Sequence, residues 1–304
     1  MSTAKTTRTV VITGANAGLG IECARDLLAR DDSWQVVLAV RNPDLGAAAI
    51  AELGAPDRCS VIRCDLASLA SVRDFVAAFE TADLPPLHAI VCNAGLQTVD
   101  TKFTVDGVEM TFGVNHLGHF ALVRGLLDQL VSPARIVVVA SGTHDPAKFT
   151  GMPKPVYTSA EELAHPAAGA PAEGRRRYTT SKLCNVLFAY ELDRRLGHGA
   201  QGITVTAFDP GLMPGSGLAR DYSPMQRLVW RFVGPMLRLL PNVNTTATSG
   251  RRLAALAVDP AFGGITGRYY EGAKEIRSSV DSYDTAKATD LWDTSVRLVD
   301  RVSA

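Results

Sequence analysis

The chain is poor in cysteine, in net charge and in long apolar runs, and each shortage removes a class of protein. Its 304 residues include five cysteines, Cys23, Cys59, Cys64, Cys92 and Cys184. Their number is odd, they are scattered, and no C-x-x-C pair occurs, so neither a zinc site nor a thioredoxin-like redox pair is expected. Reduced, buried thiols in a cytoplasmic protein are the expectation instead. Lys and Arg number 31 and Asp and Glu 31, for a net charge of zero. Without a basic stripe there is no electrostatic case for nucleic acid or an anionic membrane. The dense cluster Arg175-Arg176-Arg177 is short and reads as a solvated loop or a local anion contact. No apolar run reaches the ~18 residues of a membrane-spanning helix. The opening MSTAKTTRTVVITGANAGLG has no signal-peptide apolar core with a small-residue cleavage site. Neither a solenoid period nor a low-complexity linker divides the chain, so residues 1–304 are read as one domain.

What the chain does have is an apolar fraction of 46% against 20% charged residues, enough for a sizeable core. Short apolar runs predict strands at Thr9–Thr13, Trp34–Val40, Ser60–Arg63, Ala89–Cys92, Arg135–Ala140, Thr204–Phe208 and Gly267–Tyr270. Most are continuous Val/Ile-rich runs, as expected for strands covered on both faces. Helical patterns lie between them at Gly20–Arg30, Leu69–Glu80, Val105–Leu130, Tyr178–Leu196 and Thr245–Val258. This alternation predicts an α/β fold, a doubly wound parallel sheet of Rossmann type with helices on both faces. Two insertions, near 143–177 and 212–244, depart from it and are expected to carry substrate loops. The second contains SPMQRLVWRFVGPMLRLLPNV, with Trp230 and Phe232. Packing helices, a lid over a greasy substrate and a membrane-surface contact are all compatible with it.

At the first strand, Val10–Thr13 runs into Gly14-Ala-Asn16-Ala-Gly18-Leu19-Gly20 and then a helical pattern. Strand, glycine turn and helix start aim backbone N–H groups at a pyrophosphate. Gly14 permits the turn, Gly18 lets backbone approach the phosphates, and Gly20 allows close helix–strand packing. At the second strand tip an NAD site needs an acid for the ribose hydroxyl, whereas an NADP site needs a cation for the 2′-phosphate. The chain reads Val40-Arg41-Asn42 there, with Asp44 too late to serve, so NADP(H) is expected. Asp65-Leu66 and Asn93-Ala94-Gly95 follow the third and fourth strands, at the edge where such sheets bind ligands.

Tyr178 and Lys182, in YTTSK, lie at i and i+4 and share one helical face. A phenol with a pKa of ~10 is a poor proton donor near neutrality unless a cation assists it. Lys182 supplies that cation and can also hold the nicotinamide ribose, while Ser141, at a strand end, can orient a carbonyl oxygen. Asn115, in FGVNH, can hold a water that relays protons to Lys182. His116 and His119 form H-x-x-H with no third ligand at suitable spacing, so no metal is expected. Helix packing accounts for them. His144 is a substrate contact or a loop histidine satisfied by backbone, and Asp209 reads as a turn residue before Pro210. Cys184 reads as buried structure.

The motifs TGANAGLG, CDLAS, CNAG, VNHLGHF, VVVASG, YTTSK and DPG together resemble the short-chain dehydrogenase/reductase family, in family order along nearly the whole chain. The resemblance implies a tetrad at Asn115, Ser141, Tyr178 and Lys182, and a cofactor site lined by Asp65, Asn93 and Pro210-Gly211-Leu212. ANAGLG, LAVRN, FGVNHLGHF and SKLCNVLFAYEL are most similar to the retinol dehydrogenase and light-dependent protochlorophyllide reductase branch. The pigment reductase has cysteine directly after its Pro-Gly, where this chain has Leu212. The family's loop threonine falls at Gly215, with Ser216 as its stand-in. The expectation is therefore an NADP(H)-dependent carbonyl/alcohol oxidoreductase for a bulky hydrophobic substrate. A double-bond reductase of the pigment type and a non-catalytic NADP(H) sensor are the alternatives. The resemblance implies dimers or tetramers, which are frequent in the family, although this branch also includes monomers; a homodimer is compatible with it.

Overall fold

The computed structural model describes residues 6–167, 172–213 and 244–302. The stretch 214–243, with Gly215, Ser216, Trp230 and Phe232, lies outside the described residues. Among the described residues, eight strands form one sheet in the order β3-β2-β1-β4-β5-β6-β7-β8. They are β1 (Arg8–Thr13), β2 (Trp34–Val40), β3 (Cys59–Arg63), β4 (Leu87–Cys92), β5 (Leu130–Val139), β6 (Ile203–Asp209), β7 (Arg268–Glu271) and β8 (Lys274–Ile276). All neighbouring pairs are parallel except β7 with β8. The order reverses between β1 and β4, which opens a crevice at the carboxyl ends of those strands.

The helices are α1 (Gly18–Arg30), α2 (Pro43–Leu53), α3 (Leu69–Thr81), α4 (Met110–Phe112), α5 (Gly118–Leu126), α6 (Ala160–Ala164), α7 (Ala172–Arg195), α8 (Thr246–Val258) and α9 (Thr285–Arg301). Every residue of β2 and β6 is buried, as expected for strands covered by helices on both faces. Side chains alternate between two cores. Val11, Val37, Ile90 and Ile136 pack with Phe75, Phe120 and Phe188 of α3, α5 and α7. Val10, Ile12, Val36 and Leu38 pack with Leu27 of α1 and Leu253 of α8 on the other face. A third cluster joins α7 to α9 through Leu183, Leu187, Leu291 and Leu298. Each large apolar side chain fully buried in this way stabilises the fold by roughly 1.5–3 kcal/mol.

Three sequence expectations are corrected. The helix expected over Val105–Leu130 begins only at Met110, because Gly107 takes φ 78° in a turn closed on Thr104 and Glu109 caps the helix by accepting from Phe112 N at 2.8 Å. Its far end is already strand at Leu130. Helix α7 starts at Ala172, so Tyr178 lies well inside it rather than at its first turn. Gly174 makes that extension possible: a Cβ there would sit 2.2 Å from Val99 O and 2.3 Å from Thr98 O, so only glycine lets α7 abut the loop after β4. Among the described residues, no helix is long and apolar enough to cross a membrane. All five cysteines are buried and free.

Candidate active site

The crevice begins at the glycine loop. Gly14, at φ 65°, donates its N–H to Ala39 O of β2 at 2.9 Å. Gly20 is packed on backbone: a Cβ there would lie 2.5 Å from Gly14 O and 2.9 Å from Ala15 Cα. Gly18, at φ 58°, is exposed, and among the described residues its Cβ would meet no atom within 4 Å. Helix α1 starts here behind Ala17, which offers no capping side chain, and its first turn carries no acid. By contrast Asn42, Ser68, Thr245 and Asp284 cap α2, α3, α8 and α9. An uncapped helix start beside an open glycine suits the pyrophosphate of a dinucleotide.

The loop is held from beneath by Asn93 and Thr13. Asn93 Nδ2 donates to Thr13 O at 2.8 Å, and Thr13 Oγ1 accepts from Asn93 N and Ala94 N at 2.8 and 2.9 Å. Asn93 is thereby a support of the turn, with Ala94 packed against Gly14. At the β2 tip Arg41 is exposed, whereas Asn42 turns its Oδ1 to Asp44 N at 2.9 Å and serves as a helix cap. Asp65 also anchors its own loop, its Oδ1 accepting from Ala67 N at 3.1 Å, and Leu66 is buried behind it. Asn16 is half-buried and Leu19 buried in the first turn region. Gly211, at φ 78°, makes the turn after β6, and Pro210 O accepts from Ser249 Oγ at 2.7 Å. Leu212 is partly exposed beyond it.

The four residues of the expected tetrad come from three neighbouring elements. Asn115 sits in a π-helical turn, Gly113–Leu117, between α4 and α5, a distortion often found at functional sites. Its Oδ1 accepts from Leu96 N at 2.8 Å, and its Nδ2 donates to Leu96 O and Ser181 Oγ, both at 2.9 Å. The side-chain amide thus ties the loop after β4 to α7. Ser141 follows β5, and its Oγ accepts from Thr143 Oγ1 at 3.2 Å and Thr143 N at 3.3 Å. Those contacts leave the Ser141 hydroxyl proton to act as a donor. Tyr178 and Lys182 stand on one face of α7, with the Lys182 ammonium 5.6 Å from the Tyr178 ring centre. Lys182 Nζ donates to Val139 O at 3.2 Å and lies 3.6 Å from where a Gly95 Cβ would be, beside Asn115 Oδ1 at 3.4 Å. Burial lowers the Lys182 pKa to about 8, while Asp209 opposes that fall.

The histidines separate. His119 donates from Nδ1 to Asn115 O at 3.1 Å and accepts from Thr13 Oγ1 at Nε2, 2.9 Å away. His116 meets Ser295 Oγ at 2.8 Å amid Phe112 and Phe188. Among the described residues, no group of three His, Cys, Asp or Glu side chains could hold a metal. Burial lowers the pKa of His116 to about 3 and of His119 to about 4. The unfolded chain therefore binds more protons below about pH 6.5, so their contribution is complete above that pH and is lost on acidification toward 4. Thermal unfolding between pH 6.5 and 4.5 should fall less steeply for His116→Phe than for the parent protein, since Ser295 keeps its bond to Leu291 O. Equal slopes would show that His116 does not contribute.

Sequence reasoning missed Leu96, Ser181 and Thr143, whose roles are set by contacts between distant segments. It read Asp209 as a turn residue, and Asp209 Oδ1 does accept from Gly211 N at 2.9 Å, but the carboxylate is almost wholly buried beside Gly142.

The family model for short chain dehydrogenase matches residues 8–160. The chain is 36% identical to protochlorophyllide reductase A, chloroplastic, of Oryza sativa subsp. japonica, over 95% of this chain and 80% of that one. It is 34% identical to the WW domain-containing oxidoreductase of Danio rerio, covering 96% of this chain and 68% of the relative. A crystal structure of an uncharacterized protein from Mycobacterium Paratuberculosis superposes with a TM-score of 0.70 at 30% identity, covering 97% of this chain and 94% of that one. A doubly wound sheet with a glycine cradle at its switch point, joined to these matches, makes the chain an oxidoreductase that belongs to the short chain dehydrogenase family.

Proposed function

We propose that this protein is an NADP(H)-dependent oxidoreductase that interconverts a carbonyl and an alcohol on a bulky hydrophobic substrate. The observation that carries this reading is the alignment of Tyr178 and Lys182 on α7, with the Lys182 ammonium beneath Gly95 at the crevice. Bound NADPH supplies the hydride. Tyr178 gives the proton to the substrate oxygen, and the positive charge of Lys182 favours the negative charge left on the phenol oxygen. Lys182 would also hold the nicotinamide ribose of the bound cofactor. Ser141, with its hydroxyl proton free to donate, orients the substrate oxygen. Asn115 acts as a positioning residue that holds Leu96 and α7 in register. A water relay to Lys182 would engage the Asn115 carbonyl, which already accepts from His119.

The cofactor reading rests on the β2 tip, where exposed Arg41 replaces the acid an NAD site requires. A charge-assisted hydrogen bond to the 2′-phosphate is worth about 1.5–3 kcal/mol. Arg41→Ala should therefore raise the NADPH dissociation constant about 10–100-fold and leave NADH binding within about threefold. Equal losses for both, measured by fluorescence titration, would remove Arg41 from the 2′-phosphate site.

A second reading, reduction of a carbon–carbon double bond as the pigment reductases' name implies, is favoured by the identity to the rice protein. Leu212 in place of the expected cysteine opposes it. Both are tested by following NADPH oxidation in the dark with polyene aldehydes and aryl ketones, and pigment absorbance with NADPH and protochlorophyllide under illumination. Dark turnover without light-driven pigment loss supports the carbonyl reading, and the converse overturns it. Tight NADPH binding with neither reaction would favour a sensor protein.

A further inference from the structure

The turn that carries Ser141 is held from behind by a residue the proposed reaction does not use. His144 closes the short turn Gly142–His144 after β5 and is 0% exposed. Both ring nitrogens meet backbone: Nδ1 lies 2.7 Å from Ser141 O, and Ser279 N donates to Nε2 at 3.1 Å. A carbonyl can only accept and a backbone N–H can only donate, so the proton sits on Nδ1 and Nε2 is the acceptor. Ser141 O also accepts from the His144 backbone N at 3.1 Å. The imidazole lies against Tyr269 of β7, with ring centres 4.9 Å apart. His144 is therefore not a substrate contact but a histidine satisfied by backbone.

Ser279 comes from the far end of the chain, beyond β8, and its segment is bound in turn to α7. Ser282 Oγ donates to Ser279 O at 2.6 Å. Each hydroxyl has one hydrogen, so Ser278 Oγ donates to Ser282 Oγ at 2.7 Å and Tyr190 donates to Ser278 Oγ at 2.8 Å. Tyr190 stands on α7, the helix of Tyr178 and Lys182, and its ring stacks on Tyr283 at 5.2 Å. Strand β5 has its own ties to α7, from Lys182 Nζ and Asn185 Nδ2 to Val139 O, but these stop two residues short of Ser141.

We infer that His144 is a positioning residue: braced by Ser279, its ring fixes Ser141 relative to α7 and so relative to Tyr178. This role presupposes the proposed function, in which Ser141 and Tyr178 address one substrate oxygen. Two groups aimed at one atom need a common frame, and the brace supplies it across β5, the segment after β8 and α7. The brace requires a neutral ring, because an imidazolium would oppose a second donor to the Ser279 N–H. Burial favours the neutral form by lowering the His144 pKa, and Lys148 acts in the same direction, against the bond to Ser141 O and the charges of Asp145 and Glu271.

His144→Phe keeps an aromatic ring against Tyr269 and removes both bonds. Amide hydrogen exchange should quicken at Ser279 and at position 144, by at least about tenfold at each. In NADPH-dependent carbonyl reduction kcat should fall about 10–100-fold, with NADPH affinity held by the untouched glycine loop. A double-mutant cycle separates positioning from packing. In Ser141→Ala the hydroxyl is gone, so adding His144→Phe should change kcat by no more than about twofold. Losses that multiply in the double variant would overturn the inference and leave His144 a packing residue, and unchanged exchange at Ser279 would overturn it as well. Should His144→Phe fail to fold by circular dichroism, His144→Gln, whose amide oxygen can still accept from Ser279 N while the Ser141 bond is lost, carries the same kinetic cycle. A parent protein without carbonyl turnover would instead count against the reductase reading, with the exchange rates still deciding whether His144 ties Ser279 to the Ser141 turn.

Discussion

Tyr178→Phe should lower kcat for NADPH-dependent carbonyl reduction by about 10²–10⁴-fold, the range of a general acid removed from its site. The phenol is 6% exposed and sits within the α7 packing, so the ring itself stays in place and the variant should fold. NADPH affinity should change by no more than several-fold, because the glycine loop and Arg41 are untouched. The loss corresponds to about 3–5 kcal/mol of transition-state stabilisation, far above what a misplaced helix with intact binding would give. The measurement is kcat in stopped-flow or steady-state assay alongside an NADPH titration. Full turnover in Tyr178→Phe would remove the proton donor from the proposal, and a loss confined to KM would make Tyr178 a binding residue.

The strands were legible because a sheet covered on both faces needs apolar residues on both, and Val10–Ile12, Val36–Val40 and Ile136–Val139 supply them without interruption. Strand β8 was not, since Lys274–Ile276 is three residues long at the sheet edge and two of them are exposed. Helix α2 carried its signals in plain view, with the Asn42 cap, Pro43 at its first position and Gly54 at φ 69° after it. Of these, Asn42 reads in the sequence as part of the cofactor site beside Arg41, whereas its side chain faces its own helix. Helix α9 lies beyond the last strand, where strand–helix alternation offers no guide, and its apolar face is answered by α7. At the site, motif order pointed to Asn115, Ser141, Tyr178 and Lys182. It could not reveal that the Asn115 amide binds Leu96 and Ser181, because residues 19 and 66 positions apart meet only through the fold.

The glycine loop gives the second large effect, and its two crowded and open positions should fail in different ways. In Gly20→Ala the new methyl would meet Gly14 O at 2.5 Å, Asn93 Nδ2 at 2.7 Å and Ala15 Cα at 2.9 Å. Two of these are backbone atoms of the turn itself, so the turn must move away from β4 and α1. Overpacking of this kind costs about 1–3 kcal/mol, and the displaced turn no longer aims its N–H groups at the pyrophosphate. Loss of those charge-assisted bonds should weaken NADPH by at least about 100-fold. Gly18→Ala meets no atom of the described residues, and its cost in the free protein is the left-handed backbone at φ 58°, about 1–2 kcal/mol. The methyl instead enters the space open to the ligand. Thermal unfolding with and without NADPH separates the cases. Gly20→Ala should lower both the melting temperature of the free protein and the shift on adding NADPH. Gly18→Ala should mainly abolish the shift. A Gly18→Ala protein that NADPH stabilises as well as the parent would mean that the phosphates do not lie over Gly18, and the cradle would have to be sought elsewhere along the crevice.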